Sequence, residues 1–157
     1  MHQSPNPGRN GDLAGKVALT VVAVDAVSKA VALWALADVA RKFPGDTLEN
    51  SLVSSAGSWL GSGAAPTMAA LDVVVLVILA GLVRYISNPN CTFAAGLAGG
   101  AAACDLIDRI ARPPGPLRGA LVHWIETPWL PSFNLVDVAY AGAALLAVSL
   151  LRRPRTA

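Results

Sequence analysis

The residue types most able to do chemistry in this 157-residue chain are concentrated toward its C-terminal end. Asp105, Asp108 and Arg109 directly follow an apolar run, and Asp137 opens another apolar run after His123. In lipid, an ionised Asp is tolerated only where it faces a bundle interior or a wet cavity, so these carboxylates indicate a functional site. Two carboxylates that share a proton can activate water to hydrolyse an amide, and an imidazole oriented by a carboxylate can act as a general base.

The composition indicates that these residues belong to a membrane protein. Hydrophobic residues make up 54% of the chain and charged residues 14%, whereas a soluble domain carries about 25% charged residues. Crossing about 30 Å of hydrocarbon takes roughly 20 apolar residues in a helix. Four stretches approach this length, at residues 17–37, 69–86, 92–110 and 135–151. The sequence therefore predicts an all-α membrane protein with four transmembrane helices, in a single domain over residues 16–151.

The segments outside the predicted spans suggest an orientation. Residues 1–15, rich in Asn, Pro and Gly, are predicted to be a disordered tail, and residues 152–157 form a basic tail. Basic residues flank the outermost spans, which favours cytoplasmic termini. The connection between the first two spans contains Trp59 and other apolar residues, typical of a small outer-face loop or short β segment. The long third connection, which carries His123, faces outward with it.

Two classes of site are excluded by pattern. The basic residues are scattered rather than gathered into the stripe that nucleic acid requires. Cys91 and Cys104 lie near opposite ends of the third predicted span, roughly 20 Å apart at 1.5 Å per helical residue. They cannot form a disulfide with each other, and each is interpreted as a small apolar packing residue.

Asp25, Ser28 and Lys29 lie midway along the first predicted span and share one helix face. Asp25 and Lys29 can pair at i, i+4, which lowers the cost of burying both charges. The pair is either a structural ion pair that orders the bundle or a brace for a polar site on neighbouring helices. These residues also argue against the alternative that the first span is a cleaved secretory signal ending near Ala35-Leu36-Ala37.

The third and fourth spans carry the remaining motifs. The stripe of small residues from Gly96 to Cys104 would let another helix backbone approach closely. After it, Asp105, Asp108 and Arg109 share a face, which predicts a carboxylate and guanidinium cluster near the outer interface. Asn134 can be read as an N-cap with Asp137 in the first turn of the fourth span. The other interpretation makes Asp137 catalytic.

In order and placement, these motifs resemble those of prolipoprotein signal peptidase (signal peptidase II). The motifs are Asp25-x-x-Ser28-Lys29, Gly99-Gly100-Ala101 before Leu106-Ile107-Asp108-Arg109, and Phe133-Asn134-Leu135-x-Asp137. The resemblance implies a membrane aspartyl endopeptidase that removes the signal peptide just before a diacylglyceryl-modified Cys of bacterial prolipoproteins. It also implies an outward-facing active site in the bacterial inner membrane, prolipoprotein and membrane lipid as partners, and no cofactor. We expect a monomer.

The resemblance implies two catalytic aspartates. Asp137 matches the second, and His123 stands at the place of the first, within Leu121-Val122-His123-Trp124-Ile125. Asp105 stands where the family has Asn and Val136 where it has Ala, and the nearest match to the family's outer-loop Asn motif is the segment at residues 55–59. The resemblance assigns supporting roles to Asp25, Ser28, Lys29, Asp105, Asp108, Arg109 and Asn134.

Three hypotheses follow. In the first, the chain is a divergent signal peptidase II that acts through Asp137 together with His123 or Asp108. In the second, it is a degenerate family member that binds lipoprotein, signal peptide or lipid without cleaving. In the third, His123 and the aspartates form a metal or proton-relay cluster. Since one His among several carboxylates is a poor zinc signature, the sequence predicts no metal.

Overall fold

The computed structural model describes residues 7–42, 64–125, 127 and 129–152. This part of the chain contains the α-helices α1 (Pro7–Lys42), α2 (Ala65–Leu82), α3 (Pro89–Ala111) and α4 (Leu135–Leu151). A short 3₁₀ turn, Val83–Tyr85, extends α2 toward its brief connection with α3. The described residues form no strand, and the β-type pairing found among them is an isolated antiparallel bridge between Ile125 and Phe133.

Helix length and surface are those of a protein surrounded by lipid. Three segments are long and apolar enough to cross a membrane, Gly8–Ala35, Ala65–Tyr85 and Pro89–Ala111, and α4 is a shorter apolar helix. Trp34 and Leu145 are 82% and 71% exposed, whereas Ala101 and Ala102 are fully buried. Large side chains outside and small ones inside are expected where lipid chains solvate the apolar surface and helices associate through close packing. The structure thus confirms a helical membrane protein.

The N-terminal boundary differs from the prediction. Helix α1 begins at Pro7, so the predicted disordered tail is wrong for residues 7–15. The buried side chain of Asn10 donates a hydrogen bond to the carbonyl oxygen of Ile86, which ties the start of α1 to the connection between α2 and α3. Composition alone cannot reveal this tertiary contact. The predicted outer loop or β segment around Trp59, residues 1–6 and residues 153–157 lie outside the described residues.

Helix α3 is central, since it packs against α1, α2 and α4. Its glycines permit a very close approach of α1. A Cβ at Gly96 would lie 2.7 Å from the Cβ of Val17, and a Cβ at Gly100 would lie 2.8 Å from the Cβ of Val21. The predicted stripe of small residues is therefore confirmed as a helix contact. Gly96 meets Val17, and Gly100, four residues later, meets Val21, also four residues later. The helices α1 and α3 therefore run parallel.

Helix α4 packs on another face of α3 in the opposite direction. Val136 contacts the cluster that contains Ala101 and Cys104, and Gly142 approaches Leu97. Both cysteines are free thiols, and Cys104 is a buried packing residue as predicted. The connection between α2 and α3 is short, so these two helices also run in opposite directions. The four helices therefore alternate in direction along the chain. The C-terminal ends of α1 and α3 consequently lie at the same end of the bundle as the N-terminal ends of α2 and α4.

A buried ion cluster joins α1 to α3 near that end. The ammonium Nζ of Lys29 lies 2.6 Å from Asp25 Oδ2 and 2.7 Å from Asp108 Oδ2. Lys29 is only 2% exposed. Asp108 Oδ1 in turn accepts a hydrogen bond of 2.7 Å from Arg112 Nε. The predicted Asp25 and Lys29 pair is confirmed, and it also reaches the neighbouring helix. Ser28 instead donates to the backbone carbonyl of Asp25.

The chain turns back onto the C-terminal end of α3 before it enters the long third connection. The N–H of Gly119 donates a 3.0 Å hydrogen bond to the carbonyl oxygen of Arg109. A Cβ at Gly119 would press against the carbonyl oxygens of Asp108, Arg109 and Arg112. Glycine at this position therefore allows the backbone to satisfy a terminal carbonyl of the helix, which fixes where the connection starts.

We predict that Gly100→Ala destabilises the fold, because its methyl group would overlap with α1. Overpacking of this kind costs about 1–3 kcal/mol of unfolding free energy. Gly81→Ala is the matched control, since nothing lies within 4 Å of a Cβ at Gly81. Reversible unfolding in mixed detergent micelles measures both changes. An unfolding free energy of Gly100→Ala equal to that of wild type would contradict the described contact.

Replacing Lys29 with Met should be more damaging, because it leaves Asp25 and Asp108 buried without their shared cation. Removal of one partner from a buried ion pair costs about 3–5 kcal/mol. Lys16→Met, which removes an exposed ammonium from the same helix, should change stability little. The yield of folded protein after membrane extraction and its melting temperature test this. A Lys29→Met protein as stable as Lys16→Met would show that the cluster does not hold α1 to α3.

Candidate functional site

The third connection brings His123 to the start of α4. Trp124 and Ile125 both donate backbone hydrogen bonds to the carbonyl of Phe133, and Phe133 donates one back to Ile125. The side-chain amide of Asn134 donates a 3.1 Å hydrogen bond to the carbonyl oxygen of Val122. Asn134 and Val122 are almost fully buried. The segment that carries His123 is thus held against the first turn of α4 by backbone and side-chain bonds.

Asn134 and Asp137 form a capping box at the N-terminus of α4. Asn134 Oδ1 accepts hydrogen bonds from the N–H groups of Val136 and Asp137, at 2.8 and 3.2 Å. Asp137 Oδ2 accepts a 2.9 Å hydrogen bond from the N–H of Asn134. The predicted N-cap is confirmed. Reciprocal capping satisfies otherwise unpaired donors and places the negative carboxylate at the positive end of the helix dipole, so the orientation of Asp137 is fixed by backbone groups.

His123 and Asp137 face each other across the mouth of a cavity. His123 Nε2 lies 3.7 Å from Asp137 Oδ2, and the two side chains are 14% and 50% exposed. The adjoining cavity of about 350 Å³ is lined by both residues and by apolar side chains that include Phe133 and Val138. The separation is too long for a direct hydrogen bond. It suits an ion pair with a protonated imidazole, or an imidazole and a carboxylate that both contact one water molecule.

Both oxygens of the Asp108 carboxylate contact cationic side chains. Its Oδ2 contacts Lys29 and its Oδ1 contacts Arg112, at 2.7 Å in each case. Arg109, the next residue, points instead toward α2, where its Nε lies 3.8 Å from Asp72 Oδ2. The cluster predicted for the end of α3 is therefore divided. Asp108 belongs to the ion cluster with α1, and Arg109 belongs to a second buried group.

The second group contains two residues that sequence reasoning missed, Asp72 and Tyr140. The hydroxyl of Tyr140 on α4 lies 3.5 Å from Asp72 Oδ1 on α2. Asp105 lies on α3 one turn before Arg109, so the two share a face of that helix. The available signal for Asp72 was a single carboxylate in the predicted span at residues 69–86, where lipid makes a charge costly.

Within the residues that the structure describes, no group of three or more His, Cys, Asp or Glu side chains could hold a metal ion. His123 and Asp137 converge as a pair rather than as part of a larger ligand set, and the hypothesis of a metal cluster gains no support from their geometry.

Comparison with known proteins covers nearly the whole chain. Residues 17–152 match the family model described as Signal peptidase (SPase) II. The lipoprotein signal peptidase of Mycobacterium tuberculosis (strain ATCC 25618 / H37Rv) is 34% identical over 158 residues, which cover 94% of this chain and 74% of that protein. The lipoprotein signal peptidase of Mycobacterium avium (strain 104) is 35% identical over 150 residues, which cover 92% of this chain and 81% of that protein.

A third relative, the lipoprotein signal peptidase of Streptomyces coelicolor, is 35% identical over 108 residues, which cover 68% of this chain and 53% of that protein. No solved structure shows significant similarity to the chain. The family match includes α2, α3, α4 and most of α1, and therefore takes in both buried charge groups as well as the pair at the mouth of the cavity. The chain belongs to the signal peptidase II family.

Proposed function

We propose that this protein is a membrane endopeptidase that removes the signal peptide just before the lipid-modified Cys of bacterial prolipoproteins, with Asp137 as its catalytic carboxylate. Family membership supports the substrate class and the reaction. The single observation that carries the assignment of Asp137 is its position. It is a half-exposed carboxylate at the mouth of a largely apolar cavity, 3.7 Å from the imidazole of His123.

The geometry supports a mechanism in which one water molecule lies between His123 and Asp137. His123 Nε2 accepts a proton from this water as its oxygen attacks the scissile carbonyl carbon, and Asp137 stabilises the imidazolium that forms. The imidazolium then donates the proton to the leaving amide nitrogen as the C–N bond breaks. One imidazole thereby serves first as base and then as acid, as in other hydrolases that pair His with a carboxylate.

Asp108 is a weaker candidate for the second acid in this mechanism. Both of its carboxylate oxygens contact cations, and it is 6% exposed. Its role, with Asp25 and Lys29, is to hold α1 against α3. Ser28 supports the same region through a bond to its own helix backbone. Asp105 and Arg109 supply charges on α3, the helix that packs against α4. Asn134 orients Asp137.

We further propose that all four helices span the bacterial membrane and that a single copy of the chain carries the whole site. Helix α4 has 17 residues, which lies at the lower limit of about 17–25 for a spanning helix. The alternation of helix direction then sets both termini on one face, taken as cytoplasmic from their basic residues. His123 and Asp137 open on the opposite, outer face, where lipid-modified preproteins would meet them.

Cleavage of a lipid-modified prolipoprotein by the purified protein in membranes or micelles tests the proposal. Asp137→Asn and His123→Ala should each lower kcat by about 10²–10⁴-fold, the usual contribution of a general acid or base. Asp12→Asn, the same chemical change at an exposed carboxylate of α1, should cleave at the wild-type rate. If the wild-type protein binds such substrates and cleaves none of them, the enzymatic function is refuted and the chain acts by binding alone.

The variant His123→Asp distinguishes the proposed mechanism from a pair of aspartates. It restores two carboxylates that can share one proton, so we expect cleavage to persist with the pH–rate profile displaced to lower pH, because a carboxyl group titrates at lower pH than an imidazole. Rates from pH 4 to 9 provide the measurement. An identical profile for wild type and His123→Asp would show that residue 123 does not carry the transferred proton.

Asn134 should affect both stability and rate, since it caps α4 and orients Asp137. Asn134→Ala is expected to lose about 1 kcal/mol of stability from the cap and about tenfold to a hundredfold in kcat through misplacement of the carboxylate. Asn134→Asp can still cap α4 but cannot donate a hydrogen bond to the carbonyl of Val122. It therefore separates the loss of stability from the loss of kcat. Melting temperature and kcat are measured for both. A wild-type kcat for Asn134→Ala would argue against this orienting role.

A further inference from the structure

Asp72 is the sole ionisable residue of α2. It lies within the segment Ala65–Tyr85, which is long and apolar enough to cross a membrane, and it is 9% exposed. A carboxylate at such a position is costly to bury unless a specific partner compensates it. It also lies outside every sequence motif by which the chain resembles its family, so neither packing nor those motifs account for it.

The partner is the guanidinium of Arg109, which is 4% exposed. Asp72 Oδ2 and Arg109 Nε lie 3.8 Å apart. Within the described residues, each of these two atoms is buried with no hydrogen-bond partner. Each charge thus faces the other across this separation, and a shift of less than 1 Å would convert the ion pair into a charge-assisted hydrogen bond. Such shortening is common when a substrate closes an active site.

A further contact joins this pair to α4, the helix that carries Asp137. The Tyr140 hydroxyl on α4 approaches the other oxygen of Asp72 at 3.5 Å, so the carboxylate is held from two helices. Tyr140 follows Asp137 by three residues on α4, so the two side chains lie on the same face of that helix. A change in the position of the guanidinium would therefore change the electrostatic field at the catalytic carboxylate.

We propose that Asp72 is a positioning residue that holds the guanidinium of Arg109 in place behind the Asp137 site. This inference rests on the proposed function for its kinetic consequences, whereas its structural part is independent of activity. Asp72 acts through Arg109 and touches no substrate. Through this carboxylate, the position of α2 affects the chemistry at the site formed by the third connection and the start of α4.

The structural part is tested by NMR of the full chain in lipid nanodiscs with ¹⁵N-labelled arginine. The Nε–H signal of Arg109 is identified by its disappearance in Arg109→Lys. In Asp72→Asn this proton should exchange with water faster by at least about tenfold, because removing one partner of a buried ion pair leaves the guanidinium uncompensated. Asp72→Glu should restore protection in part, and Asp12→Asn should leave it unchanged. Equal exchange in wild type and Asp72→Asn would overturn the proposal.

The kinetic part is tested by cleavage of a lipid-modified prolipoprotein, with rates normalised to folded protein. Asp72→Asn should lower kcat by about tenfold to a hundredfold through misplacement of the guanidinium and leave KM nearly unchanged, as expected when an interaction made in the transition state is weakened. In the double variant with Arg109→Lys the losses should not add, because the two residues act through one interaction.

The outcomes separate this inference from the proposed function. A wild-type protein that cleaves, with an Asp72→Asn variant of the same kcat and lower stability, would reduce Asp72 to a purely structural role and overturn the inference alone. Additive losses in the double variant would do the same. Absence of cleavage by the wild type would refute the proposed function, and the exchange of the Arg109 Nε–H would still decide whether Asp72 holds the guanidinium.

Discussion

The ammonium group of Lys29, buried between carboxylates of α1 and α3, is the interaction on which the rest of the arrangement depends. Its charge can remain in a membrane interior only because two carboxylates compensate it. By joining the two parallel helices near one end, it fixes the register in which Gly96 and Gly100 meet Val17 and Val21. A shift of one helix along the other would both separate the ion cluster and drive side chains into the backbone of α3.

Within its last two turns, helix α3 distributes its charges to two different neighbours. Asp108 contacts Lys29 on α1, and Arg109 faces Asp72 on α2. Each of these contacts needs α3 at the correct rotation about its own axis. Because the small residues of α3 set how closely its neighbours approach, packing in the apolar part of the bundle determines the geometry of the polar end.

The sequence predicted the features that depend on neighbours along the chain. Apolar length gave the helices, the i, i+4 spacing gave the pairing of Asp25 with Lys29, and the spacing of Asn134 and Asp137 gave the cap. What it missed depends on contacts between distant residues. The helical start at Pro7 is secured by a hydrogen bond from Asn10 to Ile86. The charge of Asp72 finds its partner only when the folded chain places α2 beside Arg109. Local patterns carry no information about either contact.

The capping box explains how the residue at position 123 can vary without disturbing the fold. Asp137 Oδ2 is held by the N–H of Asn134, and Asn134 is held by the carbonyl of Val122. None of these bonds uses the side chain of His123. The bonds that orient Asp137 therefore do not depend on the side chain that faces it, and either an imidazole or a carboxylate at position 123 is compatible with this framework.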